Sequence, residues 1–345
     1  MALRYGKYAF LHARLGALKA GLLTERQWQQ LLDCGSAAEQ RRVLESTTGY
    51  ADAVRSTHEG MLRALKQTSR TVAGKVVRST PSDGARFFRA WARRDVLRNL
   101  RAILRGKAIG RSADDIRAVL IDADADDRLP TERLLRCGSL DAAFELLEAT
   151  PLRHWVQSAR RLYERDPTLF GLDAALDRLY YAEVWHALDR LDAADREPVA
   201  TLLRLEVDQV NLLWLLRYRL NYRLSPAETY YLLLPVTGHV SDTELQRLVR
   251  EDSQAAVTAR LAYRPLRDVL APCASIWEVE VALWRYRARQ ARRLLSQATF
   301  TLGEALALLL LKVVDVRDLV ALVEGTALGI DTVRIRQQLT GAGSH

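Results

Sequence analysis

One stretch of this sequence occurs three times, and that repetition restricts the fold more than any other feature. The copies occupy residues 95–110, 207–223 and 315–329, and the first reads DVLRNLRAILRGKAIG. Each copy contains an anchor residue, with an acidic residue three or four positions before it and a leucine directly after it. The anchors and their leucines are Asn99 and Leu100, Asn211 and Leu212, and Asp318 and Leu319. Repetition at a long period indicates one structural unit used several times.

A second box repeats in step with the first. It starts at residues 31, 134 and 248, and it aligns three serines and three leucines. These are Ser36, Ser139 and Ser253, followed by Leu44, Leu147 and Leu261. Both boxes share a period of about 103 to 114 residues. Two boxes with one period predict three tandem domains, at residues 1–121, 122–235 and 236–345.

A short polar residue follows each anchor by 13 or 14 positions. These residues are Ser112, Ser225 and Asp331. Side chains of this kind accept hydrogen bonds from the first free N–H groups of a helix. We therefore predict that a further helix begins at each of the three positions.

The spacing of apolar residues predicts helices along the whole chain. In residues 5–23 and 170–191, apolar side chains recur every three or four positions, which is typical of an amphipathic helix. No stretch sustains the strict alternation of a β-strand between turn signals. The predicted fold class is all-α, with three tandem and structurally similar helical domains.

The charge of the chain favours an anionic partner. A net charge of +9 leaves nucleic acid, an acidic lipid surface and an acidic protein open. Arginines that merely cover solvated helix faces would explain the same charge.

We expect a soluble chain in a reducing compartment. The three cysteines form no paired framework, no signal peptide is evident, and the longest apolar run, at residues 305–311, is shorter than the ~20 residues of a membrane span.

Neither a metal site nor a catalytic motif is predicted. DADADD at residues 122–127 has the early oxygen ligands of an EF-hand loop. Asp127 stands where that loop needs glycine, however, and Arg133 stands where it needs a bidentate glutamate. The segment therefore indicates a solvated acidic linker. The histidines lack zinc spacing, and no nucleophile elbow or dinucleotide-binding turn is present, so we expect no cofactor.

Basic and aromatic residues interleave at 85–94 and 284–293, as they do in some nucleic-acid-binding proteins. Phe88, Trp91 and Val96 fall near one helical face, however, as do Trp277 and Trp284. A core stripe beneath an arginine-covered outer face is therefore the favoured interpretation.

Taken together, the boxes resemble the C subunit of the V-type and A-type rotary ATPases, which in eukaryotes is the d subunit. The resemblance runs from about residue 5 to residue 339. It rests on the Asp-x-x-Asn-Leu pattern of the repeated stretch, the leucine-tyrosine helix at 172–181 and the sequence LLLPVTG at 232–238. The chain departs from the family where Asp318 replaces the third asparagine and where Glu324 replaces the arginine found at Arg105 and Arg217.

This resemblance implies a funnel of three domains around a pseudo-threefold axis, without catalytic activity of its own. It implies a position on the cytoplasmic face of the membrane, between the membrane rotor ring and the central stalk subunits of the D and F type. The chain would transmit torque for ATP-coupled proton or sodium transport. The alternative is an α-helical repeat protein that binds nucleic acid, although we expect no nucleic-acid partner.

Two residue sets follow from this interpretation. The anchors and their leucines are predicted to fix helix packing rather than contact a ligand, because a feature repeated in every unit suits a structural role. Six arginines are predicted as candidates for interfaces with other proteins of the complex. They are Arg93, Arg94, Arg105, Arg217, Arg219 and Arg223.

Overall fold

A computed structural model describes residues 2–55, 57–121, 129–165 and 169–341. Within these ranges the regular elements are helices and no strand occurs, which confirms the predicted all-α class. The acidic segment 122–127, which the sequence indicates as a linker, lies outside the described residues.

The α-helices follow one another along the whole described chain. In order they are α1 (Ala2–Lys19), α2 (Glu25–Leu32), α3 (Ala37–Glu45), α4 (His58–Ser79), α5 (Ser82–Ala92), α6 (Arg94–Ala108), α7 (Ala113–Val119), α8 (Thr131–Arg136), α9 (Leu140–Glu148), α10 (Arg153–Arg165), α11 (Leu169–Asp189), α12 (Ala193–Leu216), α13 (Pro226–Leu232), α14 (Asp242–Leu248), α15 (Gln254–Arg260), α16 (Arg264–Leu270), α17 (Ile276–Gln297), α18 (Leu302–Ala327) and α19 (Thr332–Gln338). A 3₁₀ turn spans Ala53–Arg55, and a π-helical turn, Arg217–Asn221, continues α12.

The repeated polar residues begin helices at equivalent positions. Ser112, Ser225 and Asp331 cap α7, α13 and α19, each accepting a hydrogen bond from a backbone N–H two or three positions later, at 3.1, 3.2 and 2.7 Å. These contacts confirm the three predicted helix starts. The aligned serines of the second box likewise cap α3, α9 and α15.

The aligned leucines of the second box lie in hydrophobic cores. Leu44, Leu147 and Leu261 are each 0% exposed. Each leucine therefore packs into a core at the far end of the helix that its serine caps.

We expect Leu147→Ala to lower the free energy of unfolding by about 2–5 kcal/mol, because the substitution removes buried methyl groups and leaves a cavity. Urea denaturation followed by circular dichroism measures this change. Leu328→Ala is the matched control, since Leu328 is 76% exposed. Its effect should stay below about 0.5 kcal/mol. Equal effects of the two substitutions would contradict the assignment of Leu147 to a core.

The long helices form three sets, and each set contacts both of the others. The sets are α4 with α5 and α6, α11 with α12, and α17 with α18. Helix α11 packs against α5 and α6, α12 packs against α17 and α18, and α18 packs against α4. Because α18 of the third set contacts α4 of the first, the contacts among the three sets form a closed cycle.

The hydrophobic cores combine residues from different predicted repeats rather than from single repeats. One core combines residues 28–65 with residues 316–339, so the end of the chain completes a core begun near its start. Another combines α12 with side chains of α14 to α17. The three sequence domains remain a prediction, and their helices share cores across the predicted boundaries.

Candidate functional site

The anchors Asn99 and Asn211 make the same contact in two different repeats. The Oδ1 atom of Asn99 accepts a hydrogen bond from the backbone N–H of Ile121 at 2.9 Å, and its amide donates to the carbonyl of the same residue. Asn211 contacts the N–H and carbonyl of Leu234 in the same way, at 2.8 and 3.5 Å. Both asparagines are 2% exposed. Each asparagine thus connects the helix on which it lies, α6 or α12, to the backbone 22 or 23 residues later.

The third anchor makes the equivalent tie with acceptor atoms alone. Asp318 is 0% exposed and accepts hydrogen bonds from the N–H groups of Thr340 and Gly341, at 2.8 and 2.6 Å, and from the Thr340 hydroxyl at 2.9 Å. An ionised carboxylate cannot donate, so a hydroxyl and a second N–H take the place of the carbonyl contact. This geometry explains why aspartate fits where the first two repeats have asparagine.

The leucines after the anchors are buried as well. Leu100, Leu212 and Leu319 are 0%, 1% and 0% exposed. Each anchor, with its buried polar contacts, is therefore followed directly in sequence by a leucine that packs in a hydrophobic core.

The six candidate arginines do not form one cluster. Arg94 and Arg217 line a shared cavity. The others lie elsewhere, with Arg93 paired with Glu183, Arg105 with Asp173 at 3.0 Å, Arg219 with Asp252 at 2.9 Å, and Arg223 exposed at a φ of 59°. Only two of the six candidates are therefore brought together.

The shared cavity lies where helices of all three sets meet, and we call it the central cavity. Its volume is about 300 Å³, and residues of α6, α11, α12 and α17 line it together with Arg217 of the π-helical turn. Five arginines and two carboxylates contribute to the lining. They are Arg94, Arg98, Arg101, Arg217 and Arg287, with Asp177 and Glu206. The cavity is thus positively charged.

Glu206 joins two arginines from different helix sets. Arg94 of α6 donates to both carboxylate oxygens, at 3.0 and 3.3 Å, and Arg287 of α17 donates to Oε2 at 2.7 Å. The Tyr181 hydroxyl donates to Oε1 at 3.0 Å, and Gln209 accepts from Arg287 at 2.7 Å. One carboxylate of α12 therefore connects α6, α11 and α17.

Burial and charge act against each other in this cluster. Burial alone would raise the pKa of Glu206, but the adjacent guanidinium groups of Arg94 and Arg287 outweigh it and lower that pKa. Burial lowers the pKa of Arg287, although Glu206 opposes the change. The Nε atom of Arg287 is buried without a hydrogen-bond partner in the described part of the chain. Two guanidinium groups share one carboxylate, so positive charge remains in excess.

Comparison with known proteins decides the family. The sequence profile described as "ATP synthase (C/AC39) subunit" matches residues 11–338. The chain belongs to this family. The resemblance to the C subunit of the V-type and A-type ATPases, noted from the repeated boxes, is therefore confirmed.

Named members of the ATP synthase (C/AC39) subunit family match most of the chain. The C subunit of the A-type ATP synthase of Methanocaldococcus jannaschii is 22% identical, over 98% of this chain and 88% of the relative. That of Methanosarcina mazei is 24% identical, over 96% of this chain and 92% of the relative. That of Halobacterium salinarum is 29% identical over about half of each chain, 50% and 51%.

The structure of this family member corrects one detail of the core stripes expected from the sequence. Phe88 and Trp91 are buried, as expected, and so are not available to stack on nucleic-acid bases. On α17, the helix that carries the second stretch, Trp277 is however 44% exposed while Arg287 is 4% exposed. Glu206 on α12 supplies the charge that draws Arg287 inward. No local spacing signals this pair, because its partners are 81 positions apart.

No described helix is long and apolar enough to cross a membrane. In residues 2–55, 57–121, 129–165 and 169–341, no three His, Cys, Asp or Glu side chains are grouped so that they could hold a metal ion.

The proton affinity of Asp177 should make stability depend on pH. Burial raises the pKa of Asp177 from 3.8 to about 6, and Arg101 opposes this only in part. The folded state then binds this proton more tightly than the unfolded chain does, so this group adds stability as pH falls. Asp177→Asn lacks the titration. Between about pH 7 and about pH 4, the free energy of unfolding of the unmodified chain should therefore rise by roughly 1–3 kcal/mol relative to that of Asp177→Asn.

Urea midpoints of both chains, measured at several pH values, test this expectation. Comparison at each pH cancels the titration of the groups that the two chains share. A stability difference that is constant over the interval would show that the pKa of Asp177 is not raised.

Proposed function

We propose that this chain is a non-catalytic rotor subunit of a V/A-type rotary ATPase. It links the central stalk to the membrane rotor ring and transmits torque for ATP-coupled proton or sodium transport. The observation that carries this proposal is that each of the three helix sets contacts the other two, and that residues of all three line the positively charged central cavity. Membership of the ATP synthase (C/AC39) subunit family supports an ATP synthase as the complex in which the chain would have this role.

Torque transmission requires a body that does not yield between its two contacts. Close-packed interiors have low compressibility and pass strain from one side to the other. Helix α18 is buried along most of its length and contacts helices of the first, second and third sets. The Glu206 cluster adds polar ties among the same sets. These features suit a rigid coupling part.

The central cavity is the proposed receiving site for the foot of the stalk. Its five arginines and two carboxylates favour a partner that presents acidic side chains. Central stalk subunits of the D and F type would supply that surface. Arg98 is exposed and lines the cavity, so it is accessible to such a partner.

The proposed ring-facing surface consists of three tips, defined as residues 109–119, 222–231 and 328–333. Nine large hydrophobic side chains are exposed among the described residues, and seven of them belong to these tips. They are Ile109, Val119, Tyr222, Tyr231, Leu328, Ile330 and Val333. Each tip follows an anchor in its own repeat. Apolar contacts repeated in three units suit a partner built from identical subunits around an axis.

Reconstitution with separately purified stalk and ring subunits tests both surfaces. We expect Arg98→Glu to weaken stalk binding at least tenfold and to leave ring binding unchanged. Leu328→Asp should do the reverse. Arg250→Glu is the control, because it reverses an exposed charge outside the central cavity. Failure of the unmodified chain to bind either partner would refute the proposal.

A further inference from the structure

A second cavity, which we call the α1–α4 cavity, has no part in the proposed coupling role. Its volume is about 560 Å³, which lies in the range typical of small-molecule sites. The end of α1, residues 48–53 and α4 form its walls, and Lys312 of α18 reaches it from the opposite end of the chain.

Helix α4 presents a row of polar side chains to this cavity. Arg63, Gln67, Thr71 and Lys75 recur every four residues, and all four line it. In the described part of the chain neither Arg63 nor Lys75 forms an ion pair, whereas many other arginines of the chain are paired. With Lys312, three cations face the cavity against the single carboxylate of Asp52. The lining is therefore positively charged.

Lys312 brings a buried positive charge to the cavity wall. It is 3% exposed, its Nζ atom donates to the carbonyl of Gly21 at 2.9 Å, and the ring centroid of Tyr50 lies 3.6 Å from that atom. Burial lowers the pKa of Lys312 to about 8, with Asp315 opposing the change and Lys75 adding to it. Burial also raises the pKa of Asp315 to about 6, and this carboxylate accepts hydrogen bonds from the Leu23 N–H at 2.9 Å and from the Tyr50 hydroxyl at 3.4 Å. An anion in the cavity would stabilise the charged lysine.

One acceptor completes the lining. The Oε1 atom of Gln67 is buried and has no hydrogen-bond partner among the described residues. A buried acceptor left without a donor costs about 1–3 kcal/mol. A hydroxyl group on a bound ligand would satisfy it.

We propose that the α1–α4 cavity binds a phosphate or phosphate monoester, held by Arg63, Lys75 and Lys312. Guanidinium and ammonium groups are the usual partners of phosphate oxygens, and charge-assisted hydrogen bonds of this kind are strong. The protonated oxygen of the phosphate, or a hydroxyl of its ester, donates to Gln67. Two sources carry this group, a soluble phosphate compound and the headgroup of a phospholipid. Bound ligand would connect α4 to α18 and so raise the stability of the fold.

Isothermal titration calorimetry with inorganic phosphate and glycerol 3-phosphate tests a soluble ligand. Flotation with vesicles of phosphatidylcholine, with and without phosphatidic acid, tests a lipid headgroup. We expect saturable binding in one of these arms. Lys75→Gln should weaken it at least tenfold, and Lys66→Gln, on the same helix but outside the cavity, should leave it unchanged.

Thermal unfolding provides a second readout that does not depend on ring or stalk. At one ligand concentration, the ligand that binds should raise the unfolding temperatures of the unmodified chain and of Lys66→Gln equally, and that of Lys75→Gln by less. Absence of binding in both arms would overturn the proposal, as would equal weakening by the two substitutions. Both results are independent of whether the chain couples a stalk to a ring.

Discussion

Glu206→Gln is expected to lower the free energy of unfolding by about 3–5 kcal/mol, because it removes the carboxylate that contacts both Arg94 and Arg287. The side chain of Arg287 is 5% exposed and cannot regain water without opening the packed interior. The amide keeps the shape of the carboxylate, so the loss reports charge rather than volume. Urea denaturation followed by circular dichroism measures it.

A surface pair provides the control for this charge effect. Glu132 and its partner Arg117 are 61% and 46% exposed. Glu132→Gln should leave the urea midpoint essentially unchanged, because exposed ion pairs contribute little to stability. If Glu206→Gln behaved like Glu132→Gln, the central cluster would not be holding the helix sets together.

Asp318→Ala is expected to lower the free energy of unfolding by about 3 kcal/mol or more. It leaves two backbone N–H groups and the Thr340 hydroxyl without their acceptor in a site that is fully buried. The end of the described chain, at Thr340 and Gly341, should then detach from α18. Amide hydrogen exchange at these two residues, together with urea denaturation, would report the detachment.

Asp318→Asn is the matched control for the third anchor. It restores the side chain found in the first two repeats, whose asparagines each bind one backbone N–H and one carbonyl. Because an amide still offers an oxygen acceptor, its effect should be smaller than that of Asp318→Ala. Equal losses would mean that the charge of the carboxylate, rather than the shared backbone tie, sets the stability of this site.

Much of the local structure could be predicted from the sequence because it depends on neighbours along the chain. A cap needs only a polar side chain and the N–H group two or three residues later, so Ser112, Ser225 and Asp331 could be assigned from spacing. The all-α class followed in the same way from apolar periodicity. The repeated anchors could be located by alignment within the chain, although their backbone partners could not.

The central cavity could be predicted only in part, because its residues come from helices far apart in sequence. Two of the six candidate arginines, Arg94 and Arg217, line it. Glu206 gave no signal in the sequence, and Arg287 fell in a stretch that was expected to form an arginine-covered outer face. Arg105 and Arg219 lie in the same repeated stretches, but they do not line the cavity and instead pair with Asp173 and Asp252. Whether an arginine is solvated, paired or buried depends on the electrostatic field of distant helices, which local spacing does not contain.

The amino-acid sequence by itself determined the repeated unit, its helices and their capped starts, since short-range hydrogen bonds and apolar periodicity decide these. Only the tertiary structure decided how the units share their cores and which charges meet. Residues 28–65 pack with residues 316–339, and one carboxylate on α12 lies between arginines of α6 and α17. Such contacts depend on how whole helices pack to exclude water, and that packing is a property of the assembled chain.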